Sequence, residues 1–292
     1  MRLAESFGGE LIGADSVQVY RHLDIGSAKP TVEERARVPH HLVDFLPLEA
    51  AYDAGAWAAD ALRAIEDIQG RGKLAIVCGG TGMYLRALLY GMVETPPSDE
   101  ATRAALRSRI EVEGVAALHD ALRRVDPGAA ARIHTNDAVR IVRALEVFEL
   151  TGTPMSALQS EHNLNDRRPR VEALQIALSP PREALYRRID ARVDAMIAAG
   201  WLDEVRAILD SGVDPDVKPL GSLGYRQLVA FLRGEDRSSE AWQETVRLVK
   251  RDHRRYAKRQ LTWFHGQPHM QWHVTEDDAF ESARRHLIDT LG

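Results

Sequence analysis

The side chains best suited to chemistry by type and spacing form a basic run near the C-terminus. Between Arg247 and Arg259, seven residues are basic and one is acidic, which gives the segment a charge of +6. The basic positions are Arg247, Lys250, Arg251, Arg254, Arg255, Lys258 and Arg259. Their alternating separations of three and one place them on one face of a helix. The run favours a polyanionic ligand or a solvated helix face balanced by acidic neighbours.

A second candidate group lies at the ends of two apolar strands. Glu10–Ala14 reads as a buried strand that delivers Asp15, and Leu74–Cys78 reads as another that runs into Gly79-Gly80-Thr81-Gly82. Repeated strand–turn–helix units predict an α/β fold with a parallel sheet. Ligands of such sheets sit beyond the carboxyl ends of the strands. We therefore expect Asp15 and Thr81 to project towards one site.

Each of these residues keeps more than one interpretation. Asp15 suits a base that orients or deprotonates an amine, a Mg²⁺ ligand, or a cap for the next turn. The glycine run suits a phosphate-binding loop or a plain tight turn. Arg188 and Arg192 suit an anion clamp or surface ion pairs with Glu183 or Asp194. Trp263 and Phe264, just beyond the basic run, suit base stacking or core packing.

The remaining elements are expected to position these groups. Arg2–Phe7 reads as the end of a helix closed by Gly8-Gly9, and Tyr52–Gln69 as a full helix. Helical signals run from Ser98 to Leu150, with Ser98-Asp99 and Asn136-Asp137 as caps, which predicts a helical insertion into the core. The polar stretch Ser160–Pro169 returns the chain to the core. Further strands are predicted at Val171–Leu178 and Met270–Val274.

Composition excludes several other classes of protein. The chain has 292 residues, is 45% hydrophobic and has a net charge of −5, so the residues outside the basic run carry −11. Its single cysteine, Cys78, excludes an internal disulfide framework and suits a reducing compartment. No apolar run approaches a membrane span of about 18 residues. The histidines show no metal-ligand spacing, so we expect no structural metal site.

Several ordered segments resemble one family of RNA-modifying enzymes, the tRNA dimethylallyltransferases that prenylate adenosine 37. The matching segments span nearly the whole chain. They are ADSVQVYRHLDIGSAKPT (14–31), VCGGTGMYLRALL (77–89), ARIHTNDAVRIVRALEVFELTG (131–152), RRIDARVDAMIAAGWLDEV (187–205), GSLGYRQL (221–228) and AKRQLTWFH (257–265). The resemblance implies a P-loop-kinase-like parallel sheet flanked by helices, with an inserted all-helical subdomain. We expect the core at 1–95 and 171–292, and the insertion at 96–170.

The resemblance implies transfer of a dimethylallyl group from dimethylallyl diphosphate to N6 of the adenosine, with Mg²⁺ and release of pyrophosphate. By this resemblance Asp15 takes the N6 proton, Thr81 lies beside the transfer channel and Arg192 steadies the pyrophosphate. Ser16, Val17 and Gln18 line the extruded base.

The resemblance also implies contacts with the tRNA anticodon stem-loop. The matching positions are Arg103, Val139, Arg140, Ile141, Val142, Arg143, Ser222, Leu223, Gly224, Tyr225, Arg226, Gln227, Lys258, Arg259, Gln260, Leu261, Thr262, Trp263, Phe264 and His265. We expect a cytoplasmic monomer that contacts no membrane.

The chain departs from the family pattern at two places. His265 stands where the family usually has arginine, which weakens one expected RNA contact. The family's phosphate loop, G-P-T-x-x-G-K-[ST], lies just upstream of the segment that corresponds to Arg2 and does not occur in the sequence. We expect in-frame coding DNA upstream of Met1 to encode it. The alternatives are a non-catalytic tRNA-binding remnant of the family and a prenyltransferase for free adenine nucleotides.

Overall fold

The computed structural model describes residues 1–93, 95–161 and 169–291. The described chain contains five strands: β1 (Glu10–Gly13), β2 (His40–His41), β3 (Ala75–Cys78), β4 (Ile176–Leu178) and β5 (Gln271–His273). Its α-helices are α1 (Arg2–Phe7), α2 (Val32–Arg37), α3 (Ala54–Gly70), α4 (Gly82–Tyr90), α5 (Glu100–Glu113), α6 (Val115–Val125), α7 (Pro127–Ala130), α8 (Ala138–Thr151), α9 (Met155–Glu161), α10 (Arg182–Ala198), α11 (Trp201–Asp210), α12 (Tyr225–Arg233), α13 (Ser239–His265) and α14 (Glu276–Leu291). A short 3₁₀ helix spans Lys218–Gly221.

The strands pair in parallel, as the strand–turn–helix pattern predicts. One sheet has the order β2-β1-β3 and a second pairs β4 with β5. Leu11 lies opposite His40 on one side and Ile76 on the other. The prediction of a strand at 171–178 is wrong for residues 171–175. Only Ile176–Leu178 pairs with a neighbouring strand, the three-residue β5.

Helix boundaries follow from local capping chemistry. The side chains of Asp53, Asp99 and Asp137 accept hydrogen bonds from the first turns of α3, α5 and α8, which satisfies backbone N–H groups that have no helical partner. At the other end of α1, Gly8 adopts φ 61°, a left-handed conformation that glycine takes without strain. These caps fall at the predicted Gly8, Asp99 and Asp137 positions.

The chain divides into two compact units, one of residues 1–89 and 171–292 and one of residues 90–170. In the first, the core surrounds β1 and includes Ile12, Trp57 and Trp201, all fully buried. The Trp57 indole N–H donates to the Gly13 carbonyl over 2.9 Å and thereby ties α3 to the end of β1.

The second unit is built only of helices in its described part. Leu106, Leu118, Leu122 and Ile141 form its core. The predicted return segment 160–169 lies mostly outside the described residues. Among the helices that are described, none combines the length and the apolar character needed to cross a membrane.

Candidate active site

Two loops meet at the carboxyl ends of β1 and β3. The Ala14 amide donates to the Cys78 carbonyl over 2.9 Å, and the Thr81 amide donates to the Ala14 carbonyl over 3.1 Å. The Ser16 amide then donates to Thr81 Oγ1 over 3.0 Å. The structure therefore brings Asp15 and Thr81 to one edge of the sheet, as predicted from the sequence.

Asp15 is half-buried and is anchored through one carboxylate oxygen. Its Oδ1 accepts hydrogen bonds from the amides of Val17, at 2.8 Å, and Gln18, at 3.2 Å. In the described part of the chain no hydrogen bond uses Oδ2. Asp15 therefore caps the turn, which was one of its interpretations, and still has an oxygen available to accept a proton.

Thr81 and Ser16 join the two loops through their hydroxyl groups. The Thr81 hydroxyl accepts the Ser16 N–H and donates weakly to Ser16 Oγ at 3.4 Å. Ser16 is exposed and Thr81 is half-buried. The two hydroxyls and the Asp15 carboxylate form a small polar face at the strand ends.

The glycine loop is packed too closely to tolerate side chains. A Cβ on Gly79 would overlap the Ala14 backbone, one on Gly80 would overlap the Gln260 amide, and one on Gly82 would overlap the Trp263 ring. The Thr81 amide is already used by the Ala14 carbonyl. These contacts favour the tight-turn interpretation over a phosphate-binding loop.

We expect Gly79→Ala to destabilise the protein by about 1–3 kcal/mol, because the clash is with rigid backbone beside the sheet. The free energy of unfolding in urea measures the effect. Gly70→Ala is the matched control, since no atom lies within 4 Å of its added Cβ. The control should change stability by less than about 1 kcal/mol, and an equal loss in both variants would contradict the packing argument.

The end of α13 packs against the glycine loop. Gln260 Nε2 donates to the Gly80 carbonyl over 2.9 Å, and Trp263 packs on Gly82 and meets Phe264 edge to face at 4.9 Å. Trp263 is thus half-buried against the glycine loop, and its contact with RNA stays a prediction. His265 stacks on Trp272, with ring centroids 4.0 Å apart.

The other predicted positions on this stretch differ in exposure. Lys258, Arg259 and Thr262 are exposed, whereas Leu261 is half-buried. Tyr256, one turn before Gln260, lies close enough to Asp15 that burial and the Asp15 charge both raise its pKa. This places the exposed cations of α13 on the same unit as the Asp15 loop.

The basic run is not one unpaired stripe. Lys250 and Arg254 form ion pairs with acidic residues of α10, at 2.6 Å in each case. Arg251 and Arg255 pair with Asp252, and Arg247 pairs with Glu244. Among the described residues, no carboxylate pairs with Lys258 or Arg259. The balanced-face interpretation therefore holds for the first five cations, and the last two remain available for an anion.

Asp252 connects α13 to the predicted contact segment 222–227. The buried Asp252 carboxylate accepts hydrogen bonds from Arg226, at 2.9 Å, and Gln227, at 3.0 Å. The hydrogen bond from Arg251 outweighs burial and, with that from Arg226, keeps the pKa of Asp252 below its usual value. The two side chains are thus anchored to α13.

The rest of this segment faces the interior. Tyr225 is fully buried, and burial, together with the nearby Glu204 carboxylate, raises its pKa. Gly224 has φ +83° and lies against Trp201. Ser222 and Leu223 are half-buried. Within 222–227 only Arg226 is exposed, and the RNA contacts of this segment stay predictions.

In the helical unit, two predicted RNA contacts converge on a buried acid. Arg103 and Arg143 pair with Glu146 at 3.0 and 2.7 Å. Burial raises the pKa of Glu146, but hydrogen bonds from Arg143, the Asp99 amide and Arg103 hold it below its usual value. Both arginines are half-buried rather than freely exposed.

The remaining positions on α8 alternate between core and surface. Ile141 and Val142 are buried in the core of this unit, while Val139 is 81% exposed. Arg140 is exposed and pairs with Asp137 at 2.9 Å. Val139 and Arg140 are therefore the members of the predicted stretch 139–143 that present side chains to solvent, and their RNA contact stays a prediction.

Arg192 and Arg188 behave differently although they are one turn apart on α10. Arg188 pairs with Glu276 at 2.9 Å. Arg192 is exposed and forms no ion pair with a described residue. Burial and the nearby Arg192 charge lower the pKa of His253, which places its ring near Arg192. A joint clamp by both arginines is not seen, and Arg192 alone suits an anion.

The sequence and structure can now be compared with known proteins. The model of the IPP transferase family matches residues 18–267. A tRNA dimethylallyltransferase from Geobacter sulfurreducens is 47% identical over 272 residues, which cover 93% of this chain and 86% of the relative. A tRNA dimethylallyltransferase 1 from Citrifermentans bemidjiense is 47% identical over 294 residues, covering 100% and 92%. The chain belongs to this family.

Solved structures agree with the family assignment. A tRNA isopentenylpyrophosphate transferase from Staphylococcus epidermidis is 32% identical with a TM-score of 0.69, covering 99% of this chain and 93% of its own. A eukaryotic dimethylallyltransferase acting on tRNA has a TM-score of 0.77 at 26% identity, covering 98% and 73%. The α/β fold predicted from the sequence is thereby confirmed for this chain.

Sequence reasoning missed two residues that hold the site together, Glu204 and Lys29. The buried Lys29 ammonium donates to the Tyr20 carbonyl and pairs with Asp24 and Asp44, at 2.5 and 2.7 Å. Glu204 accepts hydrogen bonds from the loop that follows Leu23. The local sequence around Lys29 shows only that it precedes a proline in a loop. Such a pattern does not reveal the distant residues that a buried side chain contacts.

Proposed function

We propose that the chain transfers a dimethylallyl group from dimethylallyl diphosphate to N6 of adenosine 37 in tRNA. The observation that carries this proposal is the Asp15 carboxylate, anchored through Oδ1 with Oδ2 unused, at the junction of two loops in a member of this family. A carboxylate held in this way suits the orientation and deprotonation of an amine.

The chemistry follows from the reactivity of adenine. The exocyclic amine is a weak nucleophile because the ring withdraws its lone pair, and it lies in a stacked loop until it is extruded. As the new C–N bond forms, the C–O bond to the diphosphate breaks and its electron pair leaves on pyrophosphate. The N6 proton passes to Asp15 Oδ2. Thr81 holds the Ser16 loop beside the reacting atoms.

Arg192 supplies positive charge for the leaving group. Negative charge grows on the pyrophosphate oxygens as the bond breaks, and a guanidinium with two parallel N–H donors stabilises it. The exposed, unpaired state of Arg192 among the described residues supports this role.

The family resemblance implies Mg²⁺ as a companion of the reaction. The described residues include no group of three or more His, Cys, Asp or Glu side chains placed to hold a metal ion. Mg²⁺ is usually held by one or two carboxylates together with substrate phosphates. Because the described residues hold no such group, we propose that the ion enters together with the diphosphate.

The RNA partner is proposed to lie along the exposed cations of α13. A plot of log affinity against log salt has a negative slope. We expect the double variant Lys258→Ala with Arg259→Ala to make this slope shallower by about 1.5, or about 0.7–0.9 for each lost phosphate contact. Titration of an anticodon stem-loop over a salt series measures it. Arg247→Ala is the control, since that residue is already paired with Glu244. A slope unchanged in the double variant would remove these cations from the interface.

The proposed activity is tested by product analysis. A form of the chain that carries the family's phosphate loop is incubated with dimethylallyl diphosphate and either the anticodon stem-loop or adenosine monophosphate, and the nucleosides are separated by mass. We expect N6-dimethylallyladenosine from the RNA only, with pyrophosphate released. Modified adenosine monophosphate would favour the free-nucleotide alternative. RNA binding without transfer would favour the non-catalytic alternative.

The protein is proposed to act as a monomer in the cytoplasm, where tRNA is found.

A further inference from the structure

The side-chain amide of Gln18 is oriented by two backbone carbonyls. Its Nε2 donates to the carbonyls of Ser27, at 2.9 Å, and Ala28, at 3.1 Å. Both amide protons are used, so only Oε1 remains for a ligand. Gln18 therefore presents an acceptor, which fits an amino group and repels a carbonyl oxygen.

The loop that carries those two carbonyls is held by one carboxylate from another element. Glu204 Oε2 accepts from the amides of Asp24, at 2.9 Å, and Ile25, at 2.6 Å. Its Oε1 accepts from the Gly26 amide at 3.3 Å and from the buried Tyr225 hydroxyl at 2.7 Å. Four donors thus converge on a single side chain of α11.

The Trp201 indole packs closely around the loop held by this carboxylate. The Trp201 indole fills the space beside both Gly26 and Gly224, where an added Cβ would overlap the ring. Ser27 Oγ donates to the Leu23 carbonyl at 2.5 Å, which closes the same turn. The residues that orient Gln18 are therefore held from α11 as well as by hydrogen bonds within the loop itself.

We propose that Glu204 is a positioning residue that, through the 24–28 loop, fixes Gln18 as a hydrogen-bond acceptor and so selects a purine with an amino group at C6. This inference rests on the proposed function, because it assumes that the Asp15–Gln18 loop receives the extruded base. Glu204 itself contacts no substrate.

Replacement of Glu204 by Gln should disturb the loop without changing its size. A glutamine amide has one acceptor oxygen, so its NH₂ group would face backbone N–H donors that it cannot satisfy. The loop carbonyls then shift away from the Gln18 amide, and that amide is free to turn its donor side to the base.

The test is binding of anticodon stem-loops that carry either adenosine or inosine at position 37. We expect the wild-type chain to prefer adenosine by about tenfold or more, since inosine places a carbonyl where the acceptors lie. Glu204→Gln should lower this preference several-fold and leave the salt slope unchanged. Asp203→Asn, a neighbouring exposed acid paired with Arg206, is the matched control and should keep the full preference.

A double-mutant cycle with Gln18→Ala separates positioning from a general loss of structure. If Glu204 acts through Gln18, Glu204→Gln lowers the preference no further in the Gln18→Ala background. Losses that add, or an undiminished preference in Glu204→Gln, would overturn the inference. If Glu204→Gln does not fold, Tyr225→Phe removes one of the four donors and should lower the preference in the same direction. A wild-type chain without any preference would instead refute the proposed function.

Discussion

Replacing Asp15 with Asn should lower the rate of prenyl transfer by about 10²–10⁴-fold, the usual contribution of a positioned general base. Asn keeps an oxygen that can accept the Val17 and Gln18 amides, which now bond to Oδ1. The loop should therefore keep its shape while the proton acceptor at Oδ2 is lost. Single-turnover transfer to an anticodon stem-loop, by the form that carries the phosphate loop, measures the effect.

RNA affinity provides the necessary comparison for this variant. Phosphate contacts dominate RNA affinity, so binding of the stem-loop should change by no more than a few-fold. Asp53→Asn is the control, because that exposed aspartate caps α3 by accepting the Ala56 amide and Asn caps helices equally well. Parallel losses of rate and affinity in Asp15→Asn would count against its role as the base.

Replacing Arg192 with Ala should lower the transfer rate by about 10²–10³-fold, the size of effect seen when one donor to a developing negative charge is removed. The loss should appear in the rate at saturating RNA. Arg192→Lys should recover part of it, because an ammonium keeps the charge but not the paired N–H geometry.

Arg188→Ala is the matched control for Arg192. The two arginines lie one turn apart on α10, but Arg188 is engaged with Glu276. Its removal should leave the transfer rate within about twofold, since exposed ion pairs contribute little. Equal losses at both positions would indicate that α10 matters for structure rather than through the Arg192 guanidinium.

The placement of Asp15 and Thr81 was predictable from the sequence because it depends on local patterns. Each follows a short apolar strand, and parallel strands end at the same edge of a sheet. The hydrogen bond from the Ser16 amide to Thr81 confirms that the loops meet. Caps at Asp99 and Asp137 were predictable for the same reason, since a cap bonds only to its own helix.

Features that depend on distant partners were not predictable in this way. The spacing of the basic run placed seven cations on one face, but it did not reveal that Asp190 and Asp194 on α10 pair with Arg254 and Lys250. The fourfold anchoring by Glu204 joins segments about 180 residues apart. Apolar residues from Val171 predicted a longer strand, but its length is limited by the three residues of β5.

A structure of the chain bound to an anticodon stem-loop would show whether Asp15 meets the exocyclic amine of an extruded adenosine. We expect the base at position 37 to lie outside the RNA stack, with N6 about 2.6–3.2 Å from Asp15 Oδ2. A base that stays stacked, or an N6 atom that faces another side chain while Asp15 contacts no part of the RNA, would contradict it.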